Sequence, residues 1–534
     1  MRSQLFYMED MSHQSHAIES GDDIATTGTK GNDGKSPYQR QRRLCRIFSG
    51  VMAAFFAYQM FVAHVLAGMV PDIEVDKETG RKRIRRRPER LQKMGLDGKM
   101  RQRTPLDGII EGHLHLIDIT VPTHDAITST RYNVQGTFCV IEWAKQQKDP
   151  ASVPLFSDLI ESSALCSTTT HTADLYDVAY NARQWDLHMR NNTLNHDIWK
   201  REQNRHIPQP EAAPIERSIP PTAFVFHESR CGSTLVSNLL AAFSPETTKV
   251  YSEAAAPLKA LQACSHDGEK CPSQTIHRTL VRDVFYMMGR TQRGDIFHPD
   301  HNVFYKLQPA AVHYIPLLET SLSQPVPWMY LYRDNVHVMQ SHFQGSVIDP
   351  TSEETNFLGV KKAPKCLDGY RSTAEQPPVL TQLVARQGRT VQSLSAEEYC
   401  AAYLASLSES AMQHYHTAQK QSQWHQKTPH FFVSYRQLPD VIWDHVLPSL
   451  GMSLKAKDIH RMEKVAALYT QGRTSGKKQM VFTGDNAHKE ANVPAKIDQA
   501  AHVFMDATFA KLEALANATL KAPKMANDEE DEGA

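Results

Sequence analysis

Residues 223–243 constrain this chain more than any other stretch. A short apolar run, Ala223 to Phe226, reads as a buried strand. A polar turn with one glycine follows, from His227 through Ser229, Arg230 and Cys231 to Gly232. Leu235, Val236, Leu239, Leu240 and Phe243 then recur at helical spacing. A strand that enters a helix across a single glycine commits the chain to an α/β layer. It also builds an anion site, because the first N–H groups of the helix lack partners and its dipole is positive there. Arg230 adds a permanent cation, and Ser233 and Thr234 add hydroxyl donors. A triphosphate loop of the form G-x-x-x-x-G-K-[ST] needs a second glycine and a lysine. Here there is one glycine with an arginine before it, so the turn suits one phosphate.

A second segment repeats the pattern. Val326 to Tyr332 reads as a buried strand that runs into Arg333, Asp334 and Asn335, with Ser341 eight residues after Arg333. An arginine at a strand end and a serine two helical turns on can reach the same phosphate. Together these two motifs resemble those of the sulfotransferases that use 3′-phosphoadenosine-5′-phosphosulfate (PAPS). Their 5′-phosphosulfate loop, Pro-[Lys/Arg]-Ser-Gly-[Thr/Ser]-Thr, maps onto Ser229 through Thr234, with Ser229 for Pro and Cys231 for Ser. Their 3′-phosphate motif, Arg-Asp-Pro followed by the spaced Ser, maps onto Arg333 to Ser341, with Asn335 for Pro. His430 to Pro439 looks like a third family element, a strand followed by Tyr-Glu-Asp-Leu, with Arg436 where an acid is usual.

The resemblance covers residues 220–500 and implies a P-loop-like three-layer α/β fold with a small central parallel sheet. Strand-like runs at 222–227, 303–307, 328–332 and 430–434, alternating with helical patterns, agree with that architecture. The longest helix candidate starts at the capping box Ser395 to Glu398. The implied co-substrate is PAPS, with no metal. Its binding residues would be Arg230, Cys231, Gly232, Ser233, Thr234, Leu235, Arg333 and Ser341, with Ser475, Lys477 and Lys489 in a flap over the nucleotide, a solvated basic loop being the other reading of that segment. The implied reaction moves a sulfuryl group to an acceptor hydroxyl or amine, on carbohydrate, protein or a small molecule, and needs a general base. Glu253 is the candidate base, a plain surface carboxylate being the alternative. Arg230 would stabilise the leaving oxygen, and Lys306 is a candidate to hold the sulfonate or only to reach out from the sheet. Arg278, Arg282, Arg290 and Arg293 read as a solvated basic face or a lure for an anionic acceptor. Two other classes stay open: a nucleotide-dependent kinase or NTPase, and a non-catalytic nucleotide-binding protein on the same fold.

The 534 residues carry 59 Lys plus Arg against 59 Asp plus Glu, a balance that gives no argument for nucleic acid. Residues 1–47 read as a disordered tail, 71–103 as a basic stem, 104–219 as a region of unmatched role ending in a Pro-rich linker, and 501–534 as a helix with an acidic tail. Between tail and stem, residues 48–70 form an uncharged apolar run, expected to be a single transmembrane helix although Ser49, Gln59 and His64 dilute it. Cys264 with Cys271, Cys139 with Cys166 and Cys366 with Cys400 are plausible disulfides, leaving Cys45 and Cys231. Three pairs suit an oxidising lumen, so the expected setting is a single-pass membrane protein with its catalytic part lumenal, an arrangement that resembles the Golgi membrane sulfotransferases of that family. His113-Leu114-His115 places two imidazoles on one face of a strand near Asp118, too few ligands for a metal.

Overall fold

The computed structural model describes residues 73–75, 82–84, 104–188, 218–264, 271–291, 301–343, 364–372, 376–421, 428–470, 479–481 and 493–521. The chain divides into two units, residues 1–93 and 94–534. In the first, β1 (Ile73–Val75) and β2 (Lys82–Ile84) pair antiparallel, with Ile73 opposite Ile84.

In the second unit, β3 (His115–Thr120), β4 (Gln135–Cys139) and β5 (His171–Asp174) form an antiparallel sheet. Five further strands form a wholly parallel sheet: β6 (Ala223–His227), β7 (Thr248–Ser252), β8 (Asn302–Lys306), β9 (Trp328–Tyr332) and β10 (His430–Ser434). Their order is β10-β9-β6-β8-β7. After β6 the chain first builds toward β7 and β8, then crosses back to lay β9 and β10 on the other side. The reversal opens a crevice at the carboxyl end of β6, where ligands sit in open parallel sheets.

Strand periodicity sends alternate side chains to two cores. Phe224, Phe226, Tyr251, Tyr305, Trp328, Tyr330 and Phe432 face one side. They pack under α2 (Ala255–Leu261), α3 (Gln274–Met288), α5 (Ala396–Gln421) and α7 (Ala495–Lys521). Burying a phenylalanine such as Phe224 stabilises by roughly 1.5–3 kcal/mol. Val225, Phe304, Met329, Leu331 and Val433 face the other side, under α1 (Ser233–Phe243) and α6 (Ala456–Ala466). The three-layer α/β arrangement expected from the strand runs is therefore present. The α5 capping box is also as read: the Glu398 N–H donates to Ser395 Oγ and the Ser395 N–H to the Glu398 carboxylate.

One part of the expected architecture is corrected. Among the described residues no helix is long and apolar enough to cross a membrane. Residues 48–70, where the spanning helix was expected, lie outside the described residues. The polar side chains of Ser49, Gln59 and His64 within that run are the physical weakness of the expectation.

Residues 104–188 close the exposed edge of the parallel sheet. β7 is an end strand, and a bare edge leaves backbone groups unpaired. The buried Gln146 amide pairs with Val250, accepting its N–H at 3.1 Å and donating to its carbonyl at 2.9 Å. Tyr132 donates to Asp283 on α3 at 2.8 Å, and Arg290 pairs with Asp186 at 3.0 Å. Arg290 is only 1% exposed, so it is a docking residue and not part of a solvated basic face. Arg293 lies outside the described residues. All three disulfides are formed as read: Cys139–Cys166, Cys264–Cys271 and Cys366–Cys400. Gln146→Ala strips both bonds from Val250 and leaves two buried backbone groups unpaired. It is expected to lower unfolding free energy by about 2–4 kcal/mol in urea titration, and a change under 0.5 kcal/mol contradicts the edge role.

Candidate active site

The four chemistry-bearing turns all sit at the carboxyl ends of parallel strands. The turn after β6 carries residues 228–232, β7 is followed at once by Glu253, β8 ends in Lys306, and β9 is followed by Arg333. Parallel pairing sets them side by side: His227 is opposite Leu331, and Ser252 opposite Lys306. The turn after β6 is tight. Ser229 and Arg230 have φ of 70° and 56°, and Gly232, the cap of α1, has φ of 86°. A Cβ on Gly232 would lie 2.8 Å from the Tyr435 ring, so only glycine fits there. Ser233, Thr234 and Leu235 follow as the first turn of α1, whose leading N–H groups have no carbonyl within the helix.

Three contacts tie this turn to the Arg333 motif. Glu228 Oε1 accepts the Arg333 backbone N–H at 2.5 Å. Arg230 Nε donates to Ser341 Oγ at 3.1 Å and to the Ser341 carbonyl at 3.2 Å. The buried Arg333 guanidinium lies over the Tyr435 ring, 4.3 Å from its centroid, and the same ring abuts Gly232. Arg333 is thus buried beside the 230–234 turn and is not turned outward. Ser341 sits on α4 (Asn335–Phe343), in hydrogen-bond reach of Arg230. His227 Nδ1 accepts the Ser229 N–H at 2.9 Å and so bridges the turn.

A second cluster forms on the β7–β8 side. The Lys306 ammonium, wholly buried, donates to Glu253 Oε1 at 2.5 Å. Lys365 lies 3.6 Å from Glu253 Oε2, and His227 Nε2 lies 3.9 Å from Oε1. Glu253 has φ of 53°, and its N–H donates to the Lys306 carbonyl at 2.7 Å. Burial alone pushes the Glu253 carboxyl up; Lys306, with Lys365, outweighs it and holds the group ionised well below the usual carboxylate range. Burial, then Lys306, holds His227 neutral, with a pKa near 3. Burial raises Glu228 well above the carboxylate range and raises the Cys231 thiol, so that sulfur, buried and unbonded, is no nucleophile.

Arg230, Gly232, Ser233, Thr234, Leu235, Arg333 and Ser341 therefore come together, as do Glu253 and Lys306. Arg230 departs from the expected placement: its guanidinium is on Ser341, among the residues of the second motif. Ser475, Lys477 and Lys489 lie outside the described residues. Sequence reading missed Lys365, Tyr435 as a partner of Arg333, and Glu228 as the bridge. For Lys365 a signal existed, since it adjoins Cys366, which the pairing with Cys400 anchors on α5. Among the described residues the grouping closest to a metal set is Cys264, Cys271 and His277, but the two sulfurs are bonded to each other.

No protein-family model and no curated protein matches the chain. Solved structures similar to it include the sulfotransferase domain from the curacin biosynthetic pathway, at 12% identity and TM-score 0.27, covering 54% of this chain and 98% of that one. The sulfotransferase domain from the Synechococcus PCC 7002 olefin synthase is similar at 11% identity and TM-score 0.26, covering 56% and 98%. Likeness of this degree establishes neither the fold nor an activity.

His342 on α4 supplies a test of the site's electrostatics. Burial, then Arg230, lowers its pKa from 6.5 to about 3. The folded state therefore binds fewer protons than the unfolded one between those values. Stability from this group is complete above pH 6.5 and drains away as pH falls toward 3. The slope of unfolding free energy against pH near pH 5 should drop by about one proton in His342→Asn; an unchanged slope would contradict the burial.

Proposed function

We propose that the chain is a sulfotransferase that takes PAPS as donor and an acceptor hydroxyl or amine, carried by carbohydrate or protein, as substrate. The observation that carries this reading is the joining of two anion-binding turns in one crevice, through Arg230 on Ser341 and Glu228 on Arg333. One phosphate at the α1 N-terminus and another at Arg333, Arg230 and Ser341 match a nucleoside with phosphates at both its 3′ and 5′ positions. A triphosphate tail would need the lysine and second glycine that the turn lacks.

In this reading the acceptor oxygen attacks sulfur, the bond from sulfur to the bridging phosphate oxygen breaks, and adenosine 3′,5′-bisphosphate departs. The acceptor proton passes to Glu253. With Arg230 engaged at Ser341, Lys306 takes the role at the sulfonate and leaving oxygen that sequence alone assigned to Arg230. The Lys306–Glu253 pair then couples donor binding to base strength. An arriving sulfonate competes with Glu253 for the Lys306 ammonium. Each loosening of that hold lets burial raise the Glu253 pKa toward a useful proton acceptor. Three disulfides support folding in an oxidising compartment, which we propose as the location.

Calorimetry should show binding of 3′,5′-ADP and little of ATP or GTP. Arg333→Ala should weaken the first by a few kcal/mol, the scale of losing a buried charge partner; equal affinity for ATP and 3′,5′-ADP would refute the assignment. Glu253→Gln should bind the nucleotide normally and transfer sulfate about 10²–10⁴-fold more slowly, and full activity removes Glu253 from the mechanism. Alkylation of the denatured, unreduced full chain isolated from its own cells should leave Cys139, Cys166, Cys264, Cys271, Cys366 and Cys400 unlabelled. Labelling of these six would contradict the compartment.

A further inference from the structure

The arginine assigned to the 3′-phosphate stands in a joint only two residues long. Tyr332 ends β9 and Asn335 begins α4, with Arg333 and Asp334 between them. Asp334 caps the helix: its Oδ1 accepts the His337 N–H at 3.3 Å, and its carbonyl accepts the Val338 N–H at 2.9 Å. Glu228 holds the joint from the β6 side, through the Arg333 N–H. From the other side it is held by α7, whose contact with Asn335 spans 171 positions of sequence.

This helix bonds both ends of the joint. The Tyr332 hydroxyl donates to Glu513 Oε1 at 2.9 Å, and the Asn335 side-chain amide donates to Asp506 Oδ1 at 2.9 Å. Asp506 and Glu513 are seven residues apart, close to two helical turns, so both project from one face of α7, about 10 Å apart along its axis. Phe509 lies between them and meets the Tyr332 ring edge-on, with centroids 5.8 Å apart. His502 Nδ1 lies 2.8 Å from the second Asp506 oxygen, which leaves Oδ1 to Asn335. The helix is anchored independently of the joint. Glu409 on α5 accepts from Thr508 at 3.0 Å and from Lys511 at 2.8 Å, and Phe504, Met505 and Leu512 are buried.

We propose that Asp506 and Glu513 are positioning residues for Arg333, and that α7 sets the joint between β9 and α4 so that the guanidinium meets a 3′-phosphate. The inference rests on the reading of Arg333 as the cation for that phosphate. A guanidinium recognises phosphate through a planar fork of N–H groups, so its direction matters as much as its charge. With either α7 bond removed, one end of the joint loses its anchor while Glu228 still holds the Arg333 N–H. The arginine then stays in the crevice but is free to turn.

The test is calorimetric titration of the full chain with 3′,5′-ADP and with 5′-AMP, which lacks the 3′-phosphate. The unaltered protein should bind the first more tightly. Asp506→Ala and Glu513→Ala should each weaken 3′,5′-ADP binding about fivefold, the scale of one lost hydrogen bond, and leave 5′-AMP binding unchanged. Asp506→Asn and Glu513→Gln keep an oxygen acceptor and should restore most of the affinity. A helix that merely supports the fold would weaken both nucleotides alike, and that result overturns the proposal while the donor reading stands. Full 3′,5′-ADP affinity in either alanine variant does the same. Equal affinity of the unaltered protein for the two nucleotides removes the 3′-phosphate site itself, and the proposal with it. Asp506 is half-exposed, so its variants decide the matter if Glu513→Ala fails to fold.

Discussion

The crevice depends on one buried hydrogen bond, from the Arg333 backbone N–H to the Glu228 carboxyl. It joins the turn after β6 to the turn after β9, so that two strand-end turns from distant parts of the chain share a wall. A carboxylate there would oppose any phosphate. Burial removes the difficulty by raising the Glu228 pKa, so the group accepts the N–H in its neutral form. The other acid of the site, Glu253, stays ionised, and two lysines answer its charge. With Arg230 and Arg333 added, the potential of the crevice is positive even though both acids lie within it.

How much of this was legible follows from what each feature depends on. The strands were readable because apolar runs bounded by turn residues report burial directly; β9 and β10 begin and end where the runs do. The disulfide pairs were readable because each closes a short or moderate loop. The spacing of Arg333 and Ser341 was readable because a helix fixes it. Long-range partners were not readable. Gln146 looks like an ordinary helix residue until β7 becomes an edge strand 104 positions later. Arg290 looks like one of a basic helical row until the region before the linker supplies Asp186. Arg230 reads as the leaving-oxygen cation because it lies in the same turn as the Gly232 to Thr234 backbone, but Ser341, 111 residues away, accepts its Nε–H.

Backbone strain marks the same places. Ser229, Arg230 and Glu253 all hold left-handed φ without being glycine. Each such conformation costs of order 1–3 kcal/mol and persists only where surroundings over-determine it. Here they do: the Ser229 N–H is held by His227, the Arg230 side chain by Ser341, and the Glu253 N–H by the Lys306 carbonyl. At Glu253 the same residue carries the unusual φ and the contact with the Lys306 ammonium at the mouth of the sheet.

That contact limits what Glu253 can do unaided. A carboxylate locked to a buried ammonium is ionised but a feeble base, since burial and the lysine pull its pKa in opposite directions and the lysine wins. A surface Glu–Lys pair could not be tuned this way, because water would screen both influences. In the buried pair the balance is steep, and a small shift of the ammonium changes proton affinity strongly. A second negative charge near Lys306 would produce such a shift, and the cations beside it, Arg230, Arg333 and Lys365, would attract one.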